Sequence, residues 1–154
     1  MNCFELIKRF FDELGLTEMF QVDKDIYSFL FNDQYQVNIE IPHQSSRFFI
    51  YTKISSAPNQ SILGQVQWLK TLFKAQFFGQ ETGVAWFTLQ PETEDLYLMT
   101  GVEKNDISYE YFTQVLETFL QSVELWIEKT KSMNQNELTD FGNFDKIASF
   151  NSFV

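Results

Sequence analysis

Apolar residues recur along this chain with two different periods, one typical of helices and one typical of strands. The first segment has helical spacing and stops at Gly15, a residue that commonly ends helices. Short strand-like segments follow, separated by turns rich in Asn, Asp, Pro and Ser. The pattern predicts helices near 2–14, 61–78 and 108–131, and strands near 26–31, 35–41, 47–54, 84–90 and 96–102.

This order predicts an α+β fold, α-β-β-β-α-β-β-α, in which five strands form an antiparallel twisted sheet with helices packed mainly on one face. A length of 154 residues suits one domain, which we expect to span 1–131. The tail, 132–154, is polar but carries an apolar residue at every third position. It is either disordered or an amphipathic docking segment. Its apolar residues are Phe141, Phe144, Ile147, Phe150 and Phe153.

The first and third predicted strands are apolar on both faces. A sheet that is covered by helices on one face needs apolar residues only on that face. The surplus residues are Phe29, Phe31, Phe49 and Tyr51. In the first helix, Leu6 and Phe10 lie on the flank of the apolar stripe, so they are either core edge or exposed contacts. These six residues are candidate contacts for a partner.

The second helix has two apolar sectors. One is predicted to be its core stripe and contains Ile62, Val66, Leu69, Phe73 and Phe77. The other sector contains Trp68, Leu72 and Ala75. A helix with two apolar faces is either fully buried or packs against a second molecule. The sequence therefore makes Trp68, Leu72 and Ala75 candidate contacts between two copies of the chain.

Composition and charge narrow the functional classes. The chain has 18 Phe, 6 Tyr and 3 Trp, which form either a Phe-rich core or, in part, an exposed interaction patch. A net charge of −10 disfavours nucleic-acid backbones and anionic membranes as partners. A single cysteine, Cys3, excludes an intramolecular disulfide, which suits a reducing cytoplasm. No apolar run approaches the length of a membrane span, and we expect no signal peptide.

Residues suited to catalysis are scarce. His43 is the only histidine and lies beside Pro42 in a predicted turn, so a histidine-containing triad is not expected. Glycine-rich phosphate loops are absent from the sequence. The acidic residues Glu92, Glu94 and Asp95 occupy a predicted hairpin tip, where carboxylates are ordinarily solvated. We therefore expect a protein that is not an enzyme and uses no metal or cofactor.

Several stretches resemble the small class I chaperones of bacterial type III secretion, the Tir-chaperone-like (CesT-like) family, over roughly 4–130. They are Glu13-Leu14-Gly15-Leu16, Phe29-Leu30-Phe31 with Asp33, Val37-Asn38-Ile39-Glu40, Phe49-Ile50-Tyr51, the helix end from Leu72 to Gly79, and Gly83-Val84-Ala85. The family often has Asn where this chain has Gln76. The aromatic tail after Lys131 is a second departure.

This resemblance implies a cytoplasmic homodimer, with the second helix and the following strand near its two-fold interface. It also implies that the N-terminal segment of a secreted effector wraps the dimer in extended form, adding to a sheet edge and inserting apolar side chains beside the first helix. No cofactor and no ATP would be needed. We assign effector binding to Leu6, Phe10, Phe29, Phe31, Phe49 and Tyr51, and the dimer interface to Trp68, Leu72 and Ala75.

Other functions fit the same sequence. A small acidic protein could instead neutralise a folded basic toxin, as immunity proteins and antitoxins do, through carboxylates such as Glu92, Glu94 and Asp95. Such a complex would weaken strongly at high salt, whereas an apolar groove would not. An enzyme or small-ligand binder would need a closed pocket with buried polar groups. A structural subunit of a secretion machine is a further alternative.

Overall fold

The computed structural model describes residues 3–13, 15, 20–56, 58 and 61–148, with side chains except those of Phe20, Val22 and 135–148. These residues form three α-helices and six β-strands. A short 3₁₀ turn follows the second helix at Phe77–Gly79. The elements are α1 (Cys3–Glu13), β1 (Phe20–Asp23), β2 (Ile26–Phe31), β3 (Tyr35–Glu40), β4 (Arg47–Ser55), α2 (Ile62–Gln76), β5 (Trp86–Leu89), β6 (Leu96–Glu103) and α3 (Tyr109–Ala148).

The strands form one antiparallel sheet in the order β1-β2-β3-β4-β6-β5. The α+β fold and all five predicted strands are confirmed. The additional strand is β1, which the sequence analysis did not predict because it is only four residues long. It forms a hairpin with β2, and Phe20 lies opposite Ser28. Within the described residues, β1 pairs with Ile26, Tyr27 and Ser28 of β2.

The core lies between one face of the sheet and the helices α1 and α3. Alternate residues of the central strands, such as Val37, Ile50 and Leu98, are fully buried on this inner face. Phenylalanine rings join the layers: the Phe112 ring of α3 lies 5.4 Å from that of Phe10 and 6.0 Å from that of Phe48. The first pair is edge-to-face and the second is tilted, and such inclined ring pairs favour one relative orientation of the layers.

The second helix begins at the predicted position, where the Ser61 side chain accepts a hydrogen bond from the Gly64 backbone N–H. Its two apolar sectors are reversed relative to the sequence prediction. Trp68, Leu72 and Ala75 are buried in the core of the single chain, so their assignment as contacts between copies was wrong. The sector predicted as core is mostly exposed, namely Ile62, Val66, Phe73 and Phe77, with Leu69 half-buried.

Tertiary packing decides which sector of α2 is buried. The small Ala75 and the neighbouring Leu72 allow α2 to approach the β5 end of the sheet. There the Gln76 side-chain oxygen accepts a hydrogen bond from the Phe87 backbone N–H at 2.5 Å. Periodicity shows that two apolar sectors exist, but it does not show which one meets the sheet.

The last helix is longer than the sequence predicted. The backbone of α3 is helical from Tyr109 to Ala148, whereas the apolar pattern suggested an end near Lys131. A separate tail at 132–154 stays a prediction, because its side chains after Asn134 lie outside the described residues. Among the helices that the structure describes, none is both long and apolar enough to cross a membrane.

Replacing Phe112 with Ala should lower the free energy of unfolding by about 3–5 kcal/mol, because the deleted ring would leave a cavity between α1, α3 and the sheet. Phe112 is fully buried, whereas its neighbour Tyr111 is exposed. Tyr111→Ala is therefore the matched control and should change stability by less than about 0.5 kcal/mol. Urea denaturation measures both, and equal effects would contradict this account of the core.

Candidate partner-binding groove

An open apolar groove of about 550 Å³ runs between α1, the end of β2 and α3. It lies beside the end of β2, where the described pairing partner is β3. Most of the side chains that form it are apolar. They are Phe10, Phe29, Leu30, Phe31, Leu116 and Leu120, with Glu13, Asn32, Tyr109, Thr113 and Glu117 around them.

The floor of the groove is fixed by the aromatic core. The Phe29 ring lies 5.5 Å from the Phe11 ring and 6.3 Å from the Phe10 ring, both in edge-to-face arrangements. Leu30 borders the groove at the strand edge with 55% of its surface exposed, and strand alternation directs its side chain to the face opposite Phe29 and Phe31. The groove thus combines a rigid floor with a neighbouring apolar side chain that water reaches. A site of this kind suits apolar side chains of another polypeptide.

A polar cluster closes one end of the groove. The Tyr109 hydroxyl donates a hydrogen bond to Glu13 Oε2 at 2.5 Å, and Arg9 Nε donates to Glu13 Oε1 at 2.8 Å. The Arg9 guanidinium also lies 4.1 Å from the centre of the Tyr109 ring. The hydrogen bond from Tyr109, and then that from Arg9, hold the pKa of Glu13 below its ordinary value. This cluster links α1 to the start of α3.

The turn after β2 closes the other end. Asn32 and Asp33 both have positive φ, which Asn and Asp tolerate better than other residues with side chains. Asn32 Nδ2 donates a hydrogen bond to Glu124 Oε1 of α3 at 2.7 Å. The turn is thereby tied to the helix on the far side of the groove. Both ends of the groove therefore carry carboxylates.

The groove brings together three of the six residues assigned to effector binding. Phe10, Phe29 and Phe31 line it, although Phe10 and Phe29 are largely buried and form its floor. Leu6 is fully buried beneath it and presents no surface to a partner. Its assignment as a contact was wrong, because the flank of the stripe on α1 faces the sheet as fully as the centre does.

Phe49 and Tyr51 lie on the opposite, outer face of the sheet, so the structure does not join them to the groove. Phe49 pairs with Gly101 and Tyr51 with Met99. A Cβ atom at position 101 would lie 3.2 Å from the Trp86 ring and 3.3 Å from the Phe49 ring, so glycine permits these rings to meet. Burial, and then the neighbouring Glu40 carboxylate, raise the pKa of Tyr51 to about 12.

Sequence reasoning missed the contribution of α3 to the groove. One broad apolar stripe runs along α3. Most of its residues pack in the core, and those at its margin line the groove, namely Tyr109, Leu116 and Leu120. The pattern does not single out Leu30 either, because it predicts Phe29 and Phe31 as the surplus positions of β2. The exposure of Leu30 depends on what packs beside the end of β2 in the folded chain, which a pattern along the chain does not show.

Groups suited to metal binding or nucleophilic chemistry are not gathered here. Within the described ranges, no cluster of three or more His, Cys, Asp or Glu side chains has the geometry to hold a metal ion. Burial raises the pKa of the Cys3 thiol to about 11, which keeps the thiol protonated and unreactive at neutral pH. The groove offers binding surface and charge at its ends.

The sequence matches the family model of the Tir chaperone protein (CesT) family over residues 5–127. The chain therefore belongs to this family of type III secretion chaperones. Among curated proteins, no sequence matches it significantly.

Solved structures of secretion chaperones share the fold. The HopA1–SchA chaperone–effector complex matches with a TM-score of 0.65 at 9% identity, covering 80% of this chain and 91% of that one. The ExsC–ExsE complex gives 0.61 at 17%, covering 80% and 90%. The Yersinia pestis type III secretion chaperone SycH, in complex with a stable fragment of YscM2, gives 0.57 at 18%, covering 79% and 97%. At these identities the likeness concerns the fold.

Replacing Glu13 with Gln should lower the melting temperature at pH 7, because the polar cluster loses its charged acceptor. The pKa of Glu13 is depressed in the folded chain, so its stabilising effect is present above the ordinary pKa of glutamate and is lost as the pH falls through the folded value. The difference from the wild type should therefore shrink in acid. Thermal melts at pH 7 and near pH 3 measure it, and a difference that does not depend on pH would contradict this interpretation.

Proposed function

We propose that this protein is a cytoplasmic chaperone that binds the N-terminal segment of a type III secretion effector in extended form and keeps it competent for export. The observation that carries this proposal is an open apolar groove beside a strand end, in a chain of the CesT family. An extended segment would place apolar side chains against Leu30 and Phe31. Each 100 Å² of apolar surface covered would contribute roughly 2.5 kcal/mol before the cost of ordering the segment.

The two ends of the sheet differ in their capacity to accept another strand. At β5 the Phe87 backbone N–H is already bonded to Gln76, and α2 lies alongside. At the other end, the last residues of β2 pair only with β3 among the described residues, and the groove is directly adjacent. We therefore place the added effector strand at the β1–β2 end, where backbone hydrogen bonds and apolar contacts would act together.

We further propose that the chaperone acts as a homodimer, so that one effector segment passes over two grooves. In this proposal the exposed sector of α2 makes the contact between copies, because Trp68, Leu72 and Ala75 are buried in the single chain. Binding alone accomplishes the task, so the chaperone would hydrolyse no nucleotide and hold no metal. The outer-face residues Phe49 and Tyr51 remain candidates for a second contact with the effector.

Leu30→Asp should weaken effector binding at least 10-fold, because it places a carboxylate at the strand edge beside the groove, where we place the added effector strand, while leaving the buried floor unchanged. Leu125→Asp is the matched control, since Leu125 is a similarly exposed leucine of α3 outside the groove. The effector is first identified as the protein that co-purifies with the chaperone from its source bacterium. Titration calorimetry with a peptide of its protected N-terminal segment then measures both variants.

Equal binding by Leu30→Asp and the wild type would overturn the groove assignment. The same titration at low and high salt separates the toxin-neutralising alternative, because charge-dominated binding falls steeply with ionic strength. An affinity for the N-terminal peptide that changes little with salt supports the chaperone proposal. Binding that requires a folded partner and is lost at high salt would contradict it.

A further inference from the structure

Resting on the proposed function, we infer that the groove selects an extended segment in which a lysine or arginine stands two positions from an apolar residue, and that Glu117 binds this basic side chain. The apolar residue lies against Phe31 and Leu120, and the charged head reaches the Glu117 carboxylate at the rim of the groove. Glu117 thereby determines which segments the groove prefers.

The charge around the groove is predominantly negative. Glu117 is one of its lining residues, Glu13 belongs to the cluster at one end, and Glu124 holds the turn at the other end. The nearby guanidinium of Arg9 is already bonded to Glu13. Among the described side chains that line the groove there is no lysine or arginine. A basic side chain is therefore attracted to the groove, and an acidic one is repelled.

Of these three carboxylates, that of Glu117 is the one available to a new partner. The Glu13 carboxylate accepts hydrogen bonds at both of its oxygens, and that of Glu124 accepts one from Asn32. Glu117 is exposed and forms no hydrogen bond or ion pair with any residue that the structure describes. Its charge therefore makes no described contact within the chain, and a basic side chain of a partner can pair with it.

The spacing of the lining residues along α3 matches that of an extended segment. Thr113, Glu117 and Leu120 follow one another at intervals of four and three residues, so they share one side of the helix. Neighbouring Cβ atoms at such intervals are about 5–6 Å apart. In an extended chain, residues two positions apart point the same way and are roughly 6.5–7 Å apart. An apolar residue against Leu120 therefore brings the residue two positions away to Glu117.

Lysine and arginine suit this place because their side chains are apolar along the stem and charged at the tip. The stem covers apolar surface of the groove while the head stays at the solvated rim beside Glu117. An exposed ion pair of this kind changes affinity only a few-fold, so binding still depends little on salt. The apolar surface thus supplies most of the affinity, and the carboxylate discriminates against segments with a neutral or acidic residue at this position.

The test uses the peptide of the effector's protected N-terminal segment, with each lysine and arginine replaced in turn by norleucine. Norleucine keeps an aliphatic stem and removes the charge. One replacement, two positions from an apolar residue, should weaken binding to the wild-type chaperone about 3-fold, as measured by titration calorimetry. Glu117→Gln should bind the original peptide about 3-fold more weakly than the wild type does, and the same norleucine replacement should then have no further effect.

Charge reversal distinguishes recognition from a structural role. Glu117→Lys should bind the original peptide more weakly than Glu117→Gln does, and it should bind a peptide with Glu at the basic position more tightly than the wild type does. Glu92→Gln is the matched control, because it removes the same charge from an exposed position in the hairpin between β5 and β6, outside the groove. It should leave peptide binding unchanged, and Glu117→Gln should keep the urea midpoint of the wild type.

The outcomes separate this inference from the proposed function. Binding that is weakened by Leu30→Asp but shows no coupling between Glu117 and any basic residue of the peptide would overturn the inference alone. A protected segment without lysine or arginine, or an equal loss of affinity in Glu92→Gln and Glu117→Gln, would do the same. A urea midpoint of Glu117→Gln well below that of the wild type would show a structural role and overturn it too. Equal binding by Leu30→Asp and the wild type would instead overturn the groove assignment itself.

Discussion

The packing of phenylalanine rings between α1, α3 and the sheet is the interaction on which the rest of the structure depends. Phe10 and Phe11 of α1, Phe29 and Phe48 of the sheet, and Phe112 of α3 contact one another in succession. Because rings are bulky and pack with specific geometry, they hold the helices at fixed positions over the inner face. The groove is the space that this arrangement leaves between α1, the end of β2 and α3.

Apolar side chains that this core does not bury lie at two separate places on the surface. Helix α2 contributes one sector to the core and keeps the other exposed, and the outer face of the sheet keeps Phe49 and Tyr51 partly exposed. A net charge of −10 opposes nonspecific association of such surfaces. Apolar patches on an acidic protein can therefore serve selected partners without general aggregation, which is the physical requirement for a chaperone that binds unfolded segments.

The sequence predicted the order of every element except β1, because each of the others has a clear apolar period. The strands at 26–31 and 96–102 and the helix start at Ser61 were located to within a residue. Packing partners were less predictable. Trp68 and Phe73 belong to equally apolar sectors of α2, and only the position of the sheet decides between them. Likewise, the exposure of Leu30 and the burial of Leu6 depend on which elements pack beside them in the folded chain.

The central claim is that a partner's N-terminal segment is bound extended in the groove between α1, β2 and α3. Hydrogen exchange of the purified complex, read by mass spectrometry on both chains, tests it most directly. We predict that protection of the partner is confined to its N-terminal segment and that new protection of the chaperone appears at the end of β2 and the facing part of α3. Protection spread over a folded domain of the partner, with no change around the groove, would contradict the account.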